Sequence, residues 1–280
     1  MHLSGRSRWL LRIGTGITLA FLYFPLAVIA LYAFNGSRVQ RWPLDSYSLK
    51  WFQKAFESSG ARDALLTSVK AGLGATAVAL VLGTLASYAV SRYRFFGRDT
   101  ISFLVVLPIA LPGIVTGMAL NTTFTQVLGV NLGLATVIVG HATFCIVVVF
   151  NNVVARLRRT STSFEEASQD LGADAFQTFR LVTFPQLRSA LVAGALLAFA
   201  LSFDEVIVTT FTAGSQRTLP LWIFDNLSRP RQLPVVNVVA VLAMLLSVIP
   251  VYIAQKVTAD PVTRTTRATG REVVADEPVP

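Results

Sequence analysis

The amino-acid sequence predicts an all-α membrane protein with six transmembrane helices, and three observations carry that expectation. Hydrophobic residues make up 53% of the 280-residue chain and charged residues only 14%, whereas a soluble domain carries about a quarter charged residues. Six apolar blocks, each long enough to cross a ~30 Å hydrocarbon core at ~1.5 Å per residue, are separated by polar stretches. The basic residues behind the formal net charge of +9 are concentrated in alternate connections between those blocks. That distribution speaks for membrane topology and against a nucleic-acid-binding patch.

Residues 1–12 carry Arg6, Arg8 and Arg12 and are expected as a cytoplasmic amino-terminal segment, ahead of a six-helix membrane domain over 13–256. Block 13–34 is too long for the apolar region of a signal peptide and reads as an uncleaved first span. Within the polar stretch 36–63, residues 48–56 predict a short amphipathic helix at the interface, with Leu49, Phe52 and Phe56 apolar and Lys50, Gln53 and Lys54 polar. Span two, 65–90, is rich in small residues (Ala71, Gly72, Gly74, Ala75, Ala77), which let helices approach closely in lipid. Lys70 near its start can snorkel outward.

Span three, 101–120, contains Pro108, Pro112, Gly113 and Gly117. A proline removes a backbone hydrogen bond that lipid cannot replace, so a bend is expected that either packs on a partner helix or lines a cavity. Span four, 132–154, holds His141, expected to be satisfied by a carbonyl rather than to relay protons. It also holds the single cysteine, Cys145, which excludes an intrachain disulfide. Spans five and six are 190–212 and 235–253, and the polar residues 257–280 read as a disordered cytoplasmic tail.

Orientation follows from counting. The amino-terminal segment, the loop at Arg92, Arg94 and Arg98, the loop at Arg156, Arg158, Arg159, Arg180 and Arg188, and the tail (Lys256, Arg264, Arg267, Arg271) together carry fifteen of the 24 basic residues. The positive-inside rule therefore puts both termini and the 155–189 loop in the cytoplasm.

That last loop contains a polar island, 163–185. Ser163 and Glu166 have capping-box spacing, so a short helix is expected to start there. Gly172 supplies the left-handed turn. A second short helix is expected over 173–181, with Pro185 closing it. Inside span five lies an acid pair, Asp204 and Glu205. Each costs about 2.5–3.5 kcal/mol near mid-membrane, so it should face a cavity or a partner. Adjacent helical residues point about 100° apart, so both can face one cavity only if the helix is irregular there. One acid, Asp204 ahead of Glu205, can attract a cation; an ion pair or a protonated, hydrogen-bonded acid is the structural alternative.

Catalytic chemistry finds no candidates. The lysines are at 50, 54, 70 and 256 and none follows a glycine, so the chain has no phosphate-binding loop of the G-x-x-x-x-G-K-[ST] type. Two histidines and one cysteine exclude H-E-x-x-H and thiolate zinc sites.

Glu166-Ala167-Ser168, then Gly172, then Val182-x-Phe184-Pro185 resembles the EAA loop of permease subunits of bacterial binding-protein-dependent ABC importers. Ser168, Val182 and Phe184 are mild departures from a pattern of E-A-A, three residues, G, nine residues and I-x-L-P. Ser202-Phe203-Asp204-Glu205, Thr218-Leu219-Pro220-Leu221 and Leu49-Lys50-Trp51-Phe52 are similar to the spermidine/putrescine type, and the resemblance covers about residues 10–255. It implies a type I importer permease fold in the bacterial inner membrane, with no catalytic role and no cofactor in this subunit. It also implies partners: a dimer of ATP-binding subunits that holds ATP and Mg, a second permease subunit and an extracytoplasmic solute-binding protein. Glu165, Glu166, Ala167, Gly172 and Pro185 would couple to the ATPase, and Asp204, Glu205, Pro108 and Pro112 would line the substrate path. The substrate implied is putrescine or spermidine, although relatives carry phosphonate, thiamine, iron or sulfate. A proton-driven secondary transporter using His141, Asp204 and Glu205 as a relay is the alternative from another class.

Overall fold

The computed structural model describes residues 4–258. They form, in order, α1 (Gly5–Ala33), α2 (Lys50–Glu57), α3 (Ser59–Arg92), α4 (Arg98–Ala110), α5 (Gly113–Thr122), α6 (Leu134–Leu157), α7 (Ser163–Asp170), α8 (Ala175–Thr178), α9 (Phe184–Phe203), α10 (Ile207–Thr212), α11 (Leu219–Leu227) and α12 (Leu233–Thr258). Two π-helical turns, Thr123–Val127 and Phe179–Thr183, extend α5 and join α8 to α9. Among the described residues, five helical runs are long and apolar enough to cross a membrane: α1, α3, α6, Ala175–Phe203 and α12. The pair Arg98–Ala110 and Gly113–Val127 makes a sixth span if counted together, bent by 104°. The expected tail lies, from residue 259 on, outside the described residues.

The chain divides into two compact units. The first combines residues up to Leu66 with Arg217–Leu246. Here α1 starts at Gly5, well before the expected apolar block, because Ser4 caps it by accepting from the Ser7 amide at 3.2 Å. After α1 the chain doubles back, with Gly36 N–H bonded to Ser46 O and Ser48 N–H to Phe34 O, both at 2.8 Å. That turn sets α2 against the end of α1. The buried Trp51 donates its indole N–H to Asn35 O at 2.7 Å, and the rings of Phe34 and Phe52 lie 5.1 Å apart. The amphipathic helix expected over 48–56 therefore forms, two residues later than its pattern suggested.

The second unit, Thr67–Gln216 with the residues from Ser247, holds the main core. Ala75 and Ala79 of α3 meet Cys145, Val149 and Val153 of α6 and Leu187 and Ala198 of α9. The small face of α3 is needed for this approach. A Cβ on Gly83 would sit 3.0 Å from the Val149 Cβ and 3.1 Å from the Ile146 carbonyl, an atom that cannot swing aside.

The bend expected in span three is present, as a full break of 104°, and two other expectations need correction. Leu111 is extended (φ −83°, ψ 143°), and Pro112, which biases the residue before it away from helix, caps a new helix at a sharp angle. Span five does not run through to Thr212; it stops at Phe203 and restarts at Ile207. The second short helix over 173–181 is not a separate piece closed by Pro185. It runs through the π-helical turn into α9, where Pro185 occupies the first turn. The ring of Pro185 would crowd the carbonyl four residues back, and the widened turn, in which Phe184 N–H bonds to Phe179 O, relieves this.

Candidate functional site

The interruption of span five is built by its own sequence. Val206-Ile207-Val208-Thr209-Thr210 is β-branched throughout and a weak continuation for a helix. Ahead of it, Glu205 turns its side chain onto the backbone, its Oε1 accepting from the Val208 amide at 2.9 Å. That bond satisfies an amide the break would otherwise orphan, so Glu205 serves α10 as an amino-terminal cap. Asp204 ends α9, with its N–H on Ala200 O at 3.2 Å. Its carboxylate is exposed and makes none of the hydrogen bonds or ion pairs found among the described residues. The irregularity on which the joint placement of the two acids depended is present, and it gives them different surroundings.

His141 sits behind the break and is fully buried. Its Nδ1 lies 2.7 Å from Ser202 Oγ and its Nε2 2.8 Å from Thr209 Oγ1. The expected carbonyl partner is thus replaced by two hydroxyls, because the break leaves those of α9 and α10 facing one another across the ring. Thr209 Oγ1 donates to Glu205 O at 2.8 Å. Its proton is thereby committed, so it accepts from Nε2–H, and Ser202 donates to Nδ1.

The far end of α10 is held by side chains as well. Asn121 Nδ2 donates to Phe211 O at 2.6 Å and Thr136 Oγ1 to Thr212 O at 2.7 Å, which satisfies carbonyls that a six-residue helix leaves open. The restarted half of span three packs along it: a Cβ on Gly117 would lie 2.6 Å from Phe211 Cδ2, and one on Gly113 3.6 Å from Ile207 Cγ2. Of the four path candidates, Asp204 and Glu205 form the break, and Pro112 starts the helix packed against it. Pro108 lies one turn earlier, inside α4.

The 163–185 segment forms a second site. α7 starts at Ser163 as expected, but not by the capping box. Thr162 is the cap, without a side-chain bond, and Ser163 Oγ instead pairs with Ser161 Oγ at 2.8 Å. A capping box does exist eleven residues on, where Asp174 accepts from Gln177 N–H at 2.8 Å and Gln177 Oε1 from Asp174 N–H at 3.0 Å. Gly172 has φ +87°, and the bonds Gly172 N–H to Gln169 O (2.8 Å) and Ala173 N–H to Ser168 O (3.1 Å) complete a Schellman motif.

The two glutamates separate. Glu166 is exposed, whereas Glu165 is buried and gathers three elements. Its Oε2 lies 2.9 Å from Arg92 Nε at the end of α3, and its Oε1 accepts from Thr183 Oγ1 at 3.0 Å. Around this anchor Phe164, Leu171, Phe176 and Leu181 are exposed apolar side chains. Sequence reasoning missed Arg92, which counted only towards orientation, along with Thr183, Asn121 and Thr136. Ser202 and Thr209 did leave a signal: they are seven residues apart, two helical turns, and bracket the acid pair.

A family model described as the binding-protein-dependent transport system inner membrane component matches residues 79–262. The chain is 31% identical over 232 residues to the putrescine transport system permease protein PotI of Escherichia coli (strain K12), covering 80% of this chain and 82% of that protein. It is 32% identical over 244 residues to the spermidine/putrescine transport system permease protein PotC of Haemophilus influenzae, covering 86% and 93%. Among solved structures it resembles a chain of a bacterial ABC transporter involved in the import of the acidic polysaccharide alginate. That match has a TM-score of 0.69 at 18% identity, over 91% of this chain and 99% of that one. The inward-facing MetNI methionine ABC transporter matches with a TM-score of 0.57 at 21% identity, over 75% and 99%.

Proposed function

The chain belongs to the family of binding-protein-dependent transport system inner membrane components, and from that premise we propose that it carries putrescine or spermidine through an importer driven by ATP hydrolysis on a partner subunit. The two polyamine permeases similar to it over most of their length support the substrate class. The observation that carries the reading is the carboxylate of Asp204, exposed at a break in a span and bonded to no described residue. An acid so placed is too costly to leave against lipid. At the carboxyl end of α9 it adds a full negative charge to the partial one of the helix terminus, an environment that suits an ammonium group. Glu205 is already engaged as a cap, so Asp204 is the counter-charge. Pro112 and the start of α5, which packs along α10, complete the proposed path.

The 163–185 segment serves as the coupling element. Its exposed apolar side chains (Phe164, Leu171, Phe176, Leu181) suit a groove on an ATP-binding subunit, and the Glu165–Arg92 pair passes its displacement to α3. The π-helical turn passes the same displacement directly into α9, and so towards Asp204. A second permease subunit and lipid cover the apolar surface of α1, where Phe21, Leu22, Tyr23 and Phe24 are exposed all round the helix. An extracytoplasmic binding protein meets the α2 region, and both termini lie in the cytoplasm, in accord with the basic-residue distribution.

The test is Asp204→Asn in the reconstituted transporter. Apparent affinity for putrescine should fall by about tenfold or more, with complex assembly intact. Unchanged affinity and rate would return Asp204 to a structural role.

A further inference from the structure

His141 bridges the two sides of the interruption, and its geometry is that of a clamp. Ser202 belongs to the last turn of α9 and Thr209 to the first turn of α10, and each of their hydroxyls bonds one nitrogen of the same buried ring. Between them the helical ladder is interrupted: it ends with Asp204 N–H on Ala200 O and resumes with Thr210 N–H on Val206 O, while the Val208 amide turns to the Glu205 side chain. The chain Ser202 to His141 to Thr209 to the Glu205 carbonyl replaces it with a directed series of hydrogen bonds. Phe144, its ring centroid 5.5 Å from that of His141, backs the imidazole from α6. Both nitrogens are engaged by hydroxyls and neither meets Asp204 or Glu205 directly, which is a poor arrangement for a proton relay and a good one for a rigid spacer.

We propose that His141 is the positioning residue of the translocation site: it fixes the separation of the two half-helices of span five and so the place at which the Asp204 carboxylate is presented. The proposal rests on the reading of Asp204 as the counter-charge of the transported cation. Asn121 and Thr136 hold the far end of α10 independently, so loss of the imidazole frees the near end alone.

The experiment uses the complete transporter in liposomes with His141→Ala and His141→Gln. A glutamine amide accepts and donates at its two ends, as the neutral imidazole does, and it does not titrate. Two readouts are taken: KM and kcat for putrescine, and the maleimide labelling rate of Asp204→Cys in a Cys145→Ala background without substrate. His141→Ala should raise KM by about tenfold, more than it lowers kcat, and raise labelling by roughly fivefold; His141→Gln should restore both to within about twofold. If His141→Ala fails to assemble, Ser202→Ala combined with Thr209→Val removes both ends of the clamp and is read the same way. Wild-type KM and labelling in the alanine variant overturn the proposal. Equal loss of transport in the alanine and glutamine variants, with complexes assembled, also overturns it, because the imidazole itself would then be required. Should putrescine prove not to be carried by the wild type, labelling still decides: altered labelling rescued by glutamine upholds the clamp and sinks only the substrate reading.

Discussion

Asp204 and Glu205 are adjacent carboxylates with different work, and the difference makes them separable by experiment. Glu205 accepts the Val208 amide, so Glu205→Ala removes a helix cap and should cost about 1 kcal/mol of stability. Glu205→Gln keeps an acceptor oxygen and should recover most of it. Asp204→Asn has the opposite profile, with little change in thermal midpoint and weaker putrescine affinity. Detergent-solubilised melting curves alongside uptake kinetics check both. The same contrast holds at the coupling segment. Removing Glu165 leaves Arg92 buried without its partner, a change of roughly 3–5 kcal/mol. Glu166 is exposed, and Glu166→Ala should alter stability by no more than about 0.5 kcal/mol. If the two variants melt alike, the buried anchor is misassigned.

Among the elements, α7 with its Schellman turn is rigid because Gly172 takes a backbone conformation that a β-branched residue resists. Gly172→Val should cost about 1–2 kcal/mol and tilt α7, and the ATPase of the assembled complex should then run uncoupled from transport. Transport at the wild-type ratio of ATP to solute would refute that. Gly117→Leu should separate α5 from α10, since a Cβ alone already meets Phe211. The apolar spans, the small-residue face of α3, the amphipathic α2 and the turn at Gly172 were all legible in the sequence, because each depends on local pattern. The interruptions were legible only as possibilities. Pro112 and the β-branched run after Glu205 weaken a helix, but how span five breaks depends on Asn121 and Thr136 arriving from distant segments to bond carbonyls of α10, and on His141 bonding the hydroxyls on either side of the break. The capping-box motif at Ser163 misled for a related reason: a neighbouring hydroxyl, Ser161, took the side chain. Burial of Glu165 rather than Glu166 was not readable at all, because Arg92 lies 73 positions away.

For the molecule as a whole, the proposed function requires that ATP hydrolysis on a partner reach the interior of this subunit, whose sequence carries no phosphate-binding loop. The route proposed for that runs from α7 through the Glu165 anchor and the π-helical turn into α9 and Asp204. The most direct test of the central claim is uptake of labelled putrescine and spermidine by cells with and without this chain, with ATP depletion as the control. ATP-dependent uptake that disappears with the chain and returns with the wild type, but not with Asp204→Asn, is the predicted result. Uptake that survives loss of the chain in cells with no other polyamine importer, or that continues after ATP depletion while the proton gradient is held, would contradict it.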